Sequence, residues 1–386
     1  MTDTYYLKIF DETLLSFSLN NDFGLKVSNI KIISDNIDVF PIGMRGEIGP
    51  DEIISFINSR IIPKNRMFVE QILTSMGLST NDKKGIIDIS MGLSLIDCYW
   101  IVKDNNLKFK DYNLYDNPFS EVLSLVAFTG YNTKIKELIT SPELTTNGML
   151  PKAWRRVEGK VYLYKGSTGF YNMSNTGFEP YSEFYCSEIL RNLKYNHVDY
   201  DLLKWKGQIV SVCPIFTSKN VSYVQIGDIV KTGGIEAVAK FCLESGFYEE
   251  FSNLILFDSL TMNTDRHFGN FGVIRDNKTG KFLSLAPIFD NGNSLLSLEL
   301  PKVFEDEGEF INLINDKAKN ISYYGMSYDK LVEKYCNKKH IKDLRKLLSF
   351  KFTKHKSYNL SNKRLNSLSK MIRIRASRFI ELLEKD

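Results

Sequence analysis

The chain is poor in the residues and patterns that mark several large functional classes. Its five cysteines, at 98, 186, 213, 242 and 336, include no Cys-x-x-Cys pair and are odd in number. That reads as reduced structural thiols rather than a disulfide framework, and a reducing, cytoplasmic setting is expected. Only four histidines occur, and His197, His340 and His355 stand apart among polar or basic neighbours, so no zinc site and no Ser-His-Asp constellation is legible. Apolar stretches such as Cys98-Tyr99-Trp100-Ile101-Val102 fall far short of the about twenty residues of a membrane span. The start Met1-Thr2-Asp3-Thr4 has no basic-then-apolar leader, so no membrane anchor is expected, with translocation by a route without a signal peptide left open. Lys165-Gly166-Ser167-Thr168-Gly169 lacks the earlier glycine of a P-loop, and no Gly-x-Gly-x-x-Gly is present. Repeats and low-complexity linkers are missing as well.

What remains is a globular composition. The 386 residues are 43% hydrophobic and 25% charged, enough for two or three packed units. The net charge of +4 is unevenly spread, because from Lys330 onward 17 Lys/Arg face 5 Asp/Glu. Arg364 to Leu383 carries apolar residues at 365, 368, 372, 379 and 383. That spacing predicts an amphipathic helix with Lys370, Arg373, Arg375 and Arg378 mostly on its outer face. A solvated lobe-packing helix is favoured there over direct nucleic-acid binding.

The densest chemistry lies in Asn263-Thr264-Asp265-Arg266-His267-Phe268-Gly269-Asn270 and Ala286-Pro287-Ile288-Phe289-Asp290-Asn291-Gly292. Between them, Phe271 to Ile274 and Phe282 to Leu285 are strand-like arms joined by Asp276-Asn277-Lys278-Thr279-Gly280, a hairpin signature. Asn270 begins one arm and Asp290 follows the other, so both project from the open end, where Asp265 also lies. Magnesium prefers oxygen donors and keeps waters and phosphate oxygens, so Asn270 and Asp290 suffice as protein ligands for a metal–nucleotide complex. Asp265 is then left to orient or deprotonate an acceptor hydroxyl. His267 either stabilises the transferring phosphoryl group or pins the loop; Arg266 pairs with Asp258 or contacts phosphate, and spacing decides neither. The bland alternative is that these are turn and cap residues.

Asp-Arg-His-x-x-Asn followed by Pro-x-Phe-Asp resembles the catalytic segment of HipA-like serine/threonine kinases, a family that contains toxin kinases of bacterial toxin–antitoxin pairs. The resemblance implies Asp265 as catalytic residue, Asn270 and Asp290 as magnesium ligands, and ATP as phosphoryl donor. The same segment is similar to phosphoinositide kinases, which keeps a lipid acceptor open. A nucleotide-binding pseudokinase is the third reading.

A kinase also needs residues that grip the phosphates. Thr145-Thr146-Asn147-Gly148, ahead of Lys152-Ala153-Trp154, reads as a tight turn entering a strand, whose amides would cradle anions. Val161 to Lys165 alternates as a strand and ends on Lys165, the phosphate-contacting candidate. Glu183, on a helix with apolar spacing at 181, 185 and 189, is its expected carboxylate partner; Glu183-Phe184-Tyr185-Cys186 resembles the family's helix start. HipA-like toxins carry an autophosphorylated serine where Thr145 and Thr146 stand; both threonines otherwise satisfy turn amides. Val212, Cys213 and Ile215 are the candidate adenine connector, or a plain core strand.

The expected architecture is α+β: a two-lobed protein-kinase-like fold with an accessory α+β region at 1–115, a β-rich lobe at 116–215 and a helical lobe at 216–386. Pro63 to Met76 reads as a helix ended by Gly77, and Ser120 as the cap of a helix ended by Gly130. Ile235 to Met262 reads as two helices broken near Gly246. The acceptor is expected to be a protein of unread identity; a helix-turn-helix antitoxin partner and aminoacyl-tRNA synthetase acceptors are possibilities that the resemblance alone implies.

Overall fold

Strands Asp3–Ile9 and Glu12–Asn20 are joined by a two-residue turn in which Phe10 takes a positive φ of 50°, and they begin a four-stranded antiparallel sheet. Lys26–Ile32 pairs with the second strand and Tyr99–Val102 with the first. Trp100 is fully buried and its indole N–H donates to the Phe10 carbonyl at 2.6 Å, the partner a buried indole requires. The structure is a computed structural model describing residues 3–21, 24–135, 140–171 and 177–385. Met1 and Thr2 of the amino-terminal segment read above lie outside these residues.

The chain divides into two compact units. The first comprises residues 1–165, 214–224 and 274–283, so the region read as accessory shares a unit with the stretch read as the start of the β-rich lobe. Its main core runs from Tyr5, Leu7 and Phe17 through Phe56 and Trp100 to Val161. A second cluster joins Ile62, Ile72 and Leu73 to Leu123, Val126 and Leu144. Ser120 caps the Glu121–Thr129 helix, accepting from Leu123 N at 3.1 Å, and Gly130 ends it at φ 69°, as its sequence predicts. The expected helix at Pro63 forms only over Val69–Ser75. Phe68 is left-handed at φ 63° and the Met67 N–H donates to the Met149 carbonyl, so a tertiary pairing replaces the first helical turns.

The second unit comprises residues 166–213, 225–273 and 284–386. Helices Gly234–Glu244 and Tyr248–Thr261 flank Gly246 at φ 78°, which agrees with the expected break. The Tyr248–Thr261 helix buries Phe251, Leu254, Ile255, Leu256, Phe257 and Leu260, too many for one face, and packs against helices Tyr328–Tyr335 and Asn362–Glu384. On that last helix, Arg375 departs from the outer-face expectation. Arg375 is 2% exposed and pairs with Asp329 at 2.9 Å, and Arg364 is 3% exposed, donating to the carbonyls of Glu299 and Leu296. Lys370 pairs with Glu307, Arg373 donates to the Phe350 carbonyl and Arg378 pairs with Asp329. Much of the basic tail is thus used in holding its own unit together.

Candidate active site

The candidate catalytic segment lies in the second unit and begins where the Tyr248–Thr261 helix stops at a left-handed Met262, φ 53°. Asn263 then makes a side-chain turn, its Oδ1 accepting from Asp265 N at 2.9 Å while its amide donates to Asp258 Oδ1 at 3.2 Å. Short polar side chains closing on a backbone N–H two residues ahead hold such turns without regular structure. The Asp265 carbonyl accepts from His267 N and from Asn270 Nδ2, each at 2.9 Å. With the Asn270 amide hydrogens turned inward, its carbonyl oxygen is directed away from that bond.

Arg266 decides the shape of the whole segment. It is 1% exposed, and its Nε and Nη2 meet Asp258 at 3.0 and 3.1 Å. The same guanidinium donates to the carbonyls of Asn270 at 3.0 Å, Phe289 and Asp290, and to Asn291 Oδ1 at 2.6 Å. Arg266 therefore pairs with Asp258, resolving the choice that spacing leaves open, and lashes the Asp265–Asn270 loop to the Asp290 turn. Burial works against the charge, but the Asp258 carboxylate outweighs it and shifts the Arg266 pKa upward. Burial in turn pushes the Asp258 carboxyl above its ordinary range, with Arg266 opposing.

Asp290 is left-handed at φ 57°, a conformation Asp tolerates better than most residues. Its N–H donates to the buried Tyr200 hydroxyl at 3.2 Å, and the preceding Ile288 is bonded to Asn196 and Val198. Burial raises the Tyr200 pKa well above its usual value, so this hydroxyl stays protonated. Glu183, on the Glu179–Leu193 helix, is 1% exposed and accepts from Asn291 N at 2.9 Å. It is a structural neighbour of the Asp290 turn, not a solvated helix acid. His267 is half-buried and its Nδ1 accepts from Gly269 N at 3.0 Å, the loop-pinning alternative. Among the described residues no group of three or more His, Cys, Asp or Glu is placed to hold a metal. A metal at Asn270 and Asp290 would share its shell with phosphate oxygens.

The phosphate-loop candidates lie in the first unit. Gly148 has φ 93°, which favours glycine, and the Asn147 carbonyl accepts from Lys152 Nζ at 2.7 Å. Thr145 is buried and donates to the Leu93 carbonyl at 2.9 Å; Thr146 donates to the Pro142 carbonyl and accepts from Trp154 Nε1 at 2.9 Å. Both hydroxyls are therefore engaged in holding the turn. Lys165 ends strand Lys160–Lys165 and is 7% exposed, unlike a solvated strand-end lysine. Val212 pairs with Asp201 in an antiparallel ladder, and both Val212 and Cys213 are buried. The Ile215 N–H already donates to the Val161 carbonyl at 3.1 Å, which removes that donor from adenine recognition.

Several residues that shape these loops carry no motif. Arg66 is 2% exposed and donates to the carbonyls of Glu143, Thr146 and Lys152 at 2.9 to 3.0 Å, bracing the turn around Gly148. Buried Glu143 accepts from Trp154 N at 2.9 Å and from Ser124 and Ser141. In the second unit, Asn291 bridges Arg266 and Glu183, and Asn293 Nδ2 donates to Asp265 Oδ2 at 3.0 Å. The run Asp290-Asn291-Gly292-Asn293 is the one local signal, since three side-chain amides and acids around a glycine mark a turn with bonds to make.

No protein-family model and no curated protein matches the chain. Among solved structures it is similar to HipA of the Shewanella oneidensis MR-1 toxin–antitoxin system, determined with HipB and its operator DNA. The TM-score is 0.54 at 12% identity, covering 99% of this chain and 98% of that one. It is also similar to the Helicobacter pylori proinflammatory kinase CtkA, with a TM-score of 0.48, 19% identity, 62% of this chain and 92% of that chain covered. The likeness to HipA runs through nearly the full length of both chains, and the architecture is the kinase-like α+β fold of HipA.

Proposed function

We propose that this chain is a HipA-like serine/threonine protein kinase that transfers the γ-phosphoryl group of ATP with magnesium. The observation that carries the reading is the Arg266 lashing, which ties the loop bearing Asp265 and Asn270 to the turn bearing Asp290 through backbone carbonyls. A scaffold of that kind fixes the main chain that carries the three oxygen-bearing side chains, and none of them is a hydrogen-bond partner of Arg266 itself. Asp265 orients the acceptor hydroxyl and takes its proton. Asn270, through the oxygen its amide bond turns outward, and Asp290 would hold magnesium. Bound there, the metal would neutralise charge on the β- and γ-phosphates. In the first unit, Lys165 is the phosphate contact and the Gly148 turn presents backbone amides. His267 serves this chemistry by fixing the loop.

An antitoxin-like protein partner belongs to the same proposal, supported by the HipB present in the Shewanella HipA structure. So does autophosphorylation at Thr145 or Thr146. Either hydroxyl must first leave the carbonyl it bonds, which makes modification and rearrangement of the turn one event. Among the described residues no helix is long and apolar enough to cross a membrane.

The test is phosphoryl transfer from radiolabelled Mg-ATP by purified parent, Asp265→Asn and Asp290→Asn, with calorimetric binding of a non-hydrolysable Mg-nucleotide. Asp265→Asn is expected to lower transfer by about 100-fold or more with binding largely retained. Asp290→Asn is expected to weaken Mg-nucleotide binding itself about 10-fold. Undiminished transfer by Asp265→Asn sinks the assignment. Lipid vesicles offered in place of a protein acceptor separate protein from lipid kinase activity.

A further inference from the structure

We propose that Asn293 is a positioning residue for Asp265, an inference that rests on the kinase reading above. The main chain of Asp265 is fixed on both sides, its N–H by Asn263 and its carbonyl by His267 and Asn270. Those bonds leave the carboxylate free to turn about its two side-chain torsions. Asn293 Nδ2 donates to Oδ2 at 3.0 Å, and among the described residues it is the sole hydrogen-bond donor to that carboxylate. A carboxylate only accepts, so the amide face turned to it is the nitrogen. Engaging Oδ2 fixes the plane of the group and leaves Oδ1 for the acceptor hydroxyl.

Asn293 is well placed to impose an orientation because it is itself held. Its carbonyl accepts from Thr264 N at 3.2 Å and from Thr264 Oγ1 at 3.3 Å, so it grips the residue next to Asp265 as well. Two residues earlier, Asn291 is anchored by Arg266 and Glu183. One short segment, Asp290 to Asn293, thus supplies a proposed metal ligand at one end and the orienting amide at the other. A neutral donor is the suitable chemistry. It aligns the carboxylate without placing a cation beside it to compete for the proton or the phosphate.

The experiment compares the purified full chain with Asn293→Ala and Asn293→Asp, using Mg-ATP and a degenerate serine/threonine peptide mixture as acceptor. Values of kcat and KM for ATP, nucleotide binding and Tm are measured for each. Asn293→Ala is expected to lower kcat about 10-fold, and Asn293→Asp, which sets a second carboxylate against the first, about 100-fold. KM for ATP should stay within about 2-fold, since binding is not what is lost. A packing or backbone role gives the opposite order, because Asp matches Asn in shape and Ala does not. Asn293→Asp retaining more turnover than Asn293→Ala, or parental kcat in both, overturns the proposal while the kinase reading stands. Absence of transfer by the parent, to peptide or to itself, overturns the kinase reading and this inference together.

Discussion

Each unit braces its candidate loop with one fully buried arginine, and the two arginines are not equivalent. Arg66 reaches three backbone carbonyls around the Gly148 turn, while Glu143, the nearby acid, bonds to Ser124, Ser141 and Trp154 N. Burial therefore depresses its pKa to about 10 with only partial relief from the Glu143 charge. Arg266 also reaches three carbonyls but keeps a bidentate carboxylate, Asp258, and its pKa moves the other way. The same side chain is a set of hydrogen-bond donors in one loop and half of an ion pair in the other. The lesson is that a buried arginine is valued by what its removal leaves behind: unsatisfied carbonyls in the first case, a stranded carboxylate in the second.

That contrast is open to direct attack. Replacing Arg266 with Met should cost most, about 3–5 kcal/mol in denaturant unfolding, because Asp258 is left buried and unpaired. Adding Asp258→Leu to Arg266→Met should recover part of the loss, and failure to recover any would show that the carbonyl bonds, not the stranded acid, dominate. Arg66→Met should cost less, about 2–3 kcal/mol, from three carbonyls losing a buried donor. An Arg66 cost equal to or above that of Arg266 would break the comparison. Gly148→Ala should cost about 1 kcal/mol in stability, through the strain of φ 93°, and should weaken Mg-nucleotide binding with little change in kcat, as read by calorimetry beside steady-state rates. Smallest is Ser120→Ala, about 1 kcal/mol or less from a lost helix cap, with no effect on nucleotide binding in the same assay.

What was legible beforehand follows from the range of the forces involved. The 272–285 hairpin, the Ser120 cap and the Gly130 and Gly246 stops are written in local turn chemistry, and the structure has each of them. Asp265, Asn270 and Asp290 stand out because three oxygen-bearing side chains converge at a hairpin's open end. Arg266 was visible, but its partners lie eight residues behind and up to 25 ahead, a matter settled only by packing. Arg66 and Glu143 carry no motif and no local signal, yet both are buried in their unit. Pro63 to Phe68 had helical spacing, yet Met67 bonds to Met149, 82 residues on, and no propensity scale contains that competitor. Periodicity puts Arg375 on the outer face, yet it is buried, because periodicity tells faces apart but not how wide the buried face is.

The Arg266 hub has an evolutionary consequence. Its hydrogen bonds go to the main chain of residues 270, 289 and 290, to Asp258 and to Asn291; none goes to the side chain of Asp265, Asn270 or Asp290. The hub and the three proposed site side chains are thus written in different atoms. A lineage carrying this scaffold is free to change those three side chains one at a time while the hub keeps the loops that bear them folded.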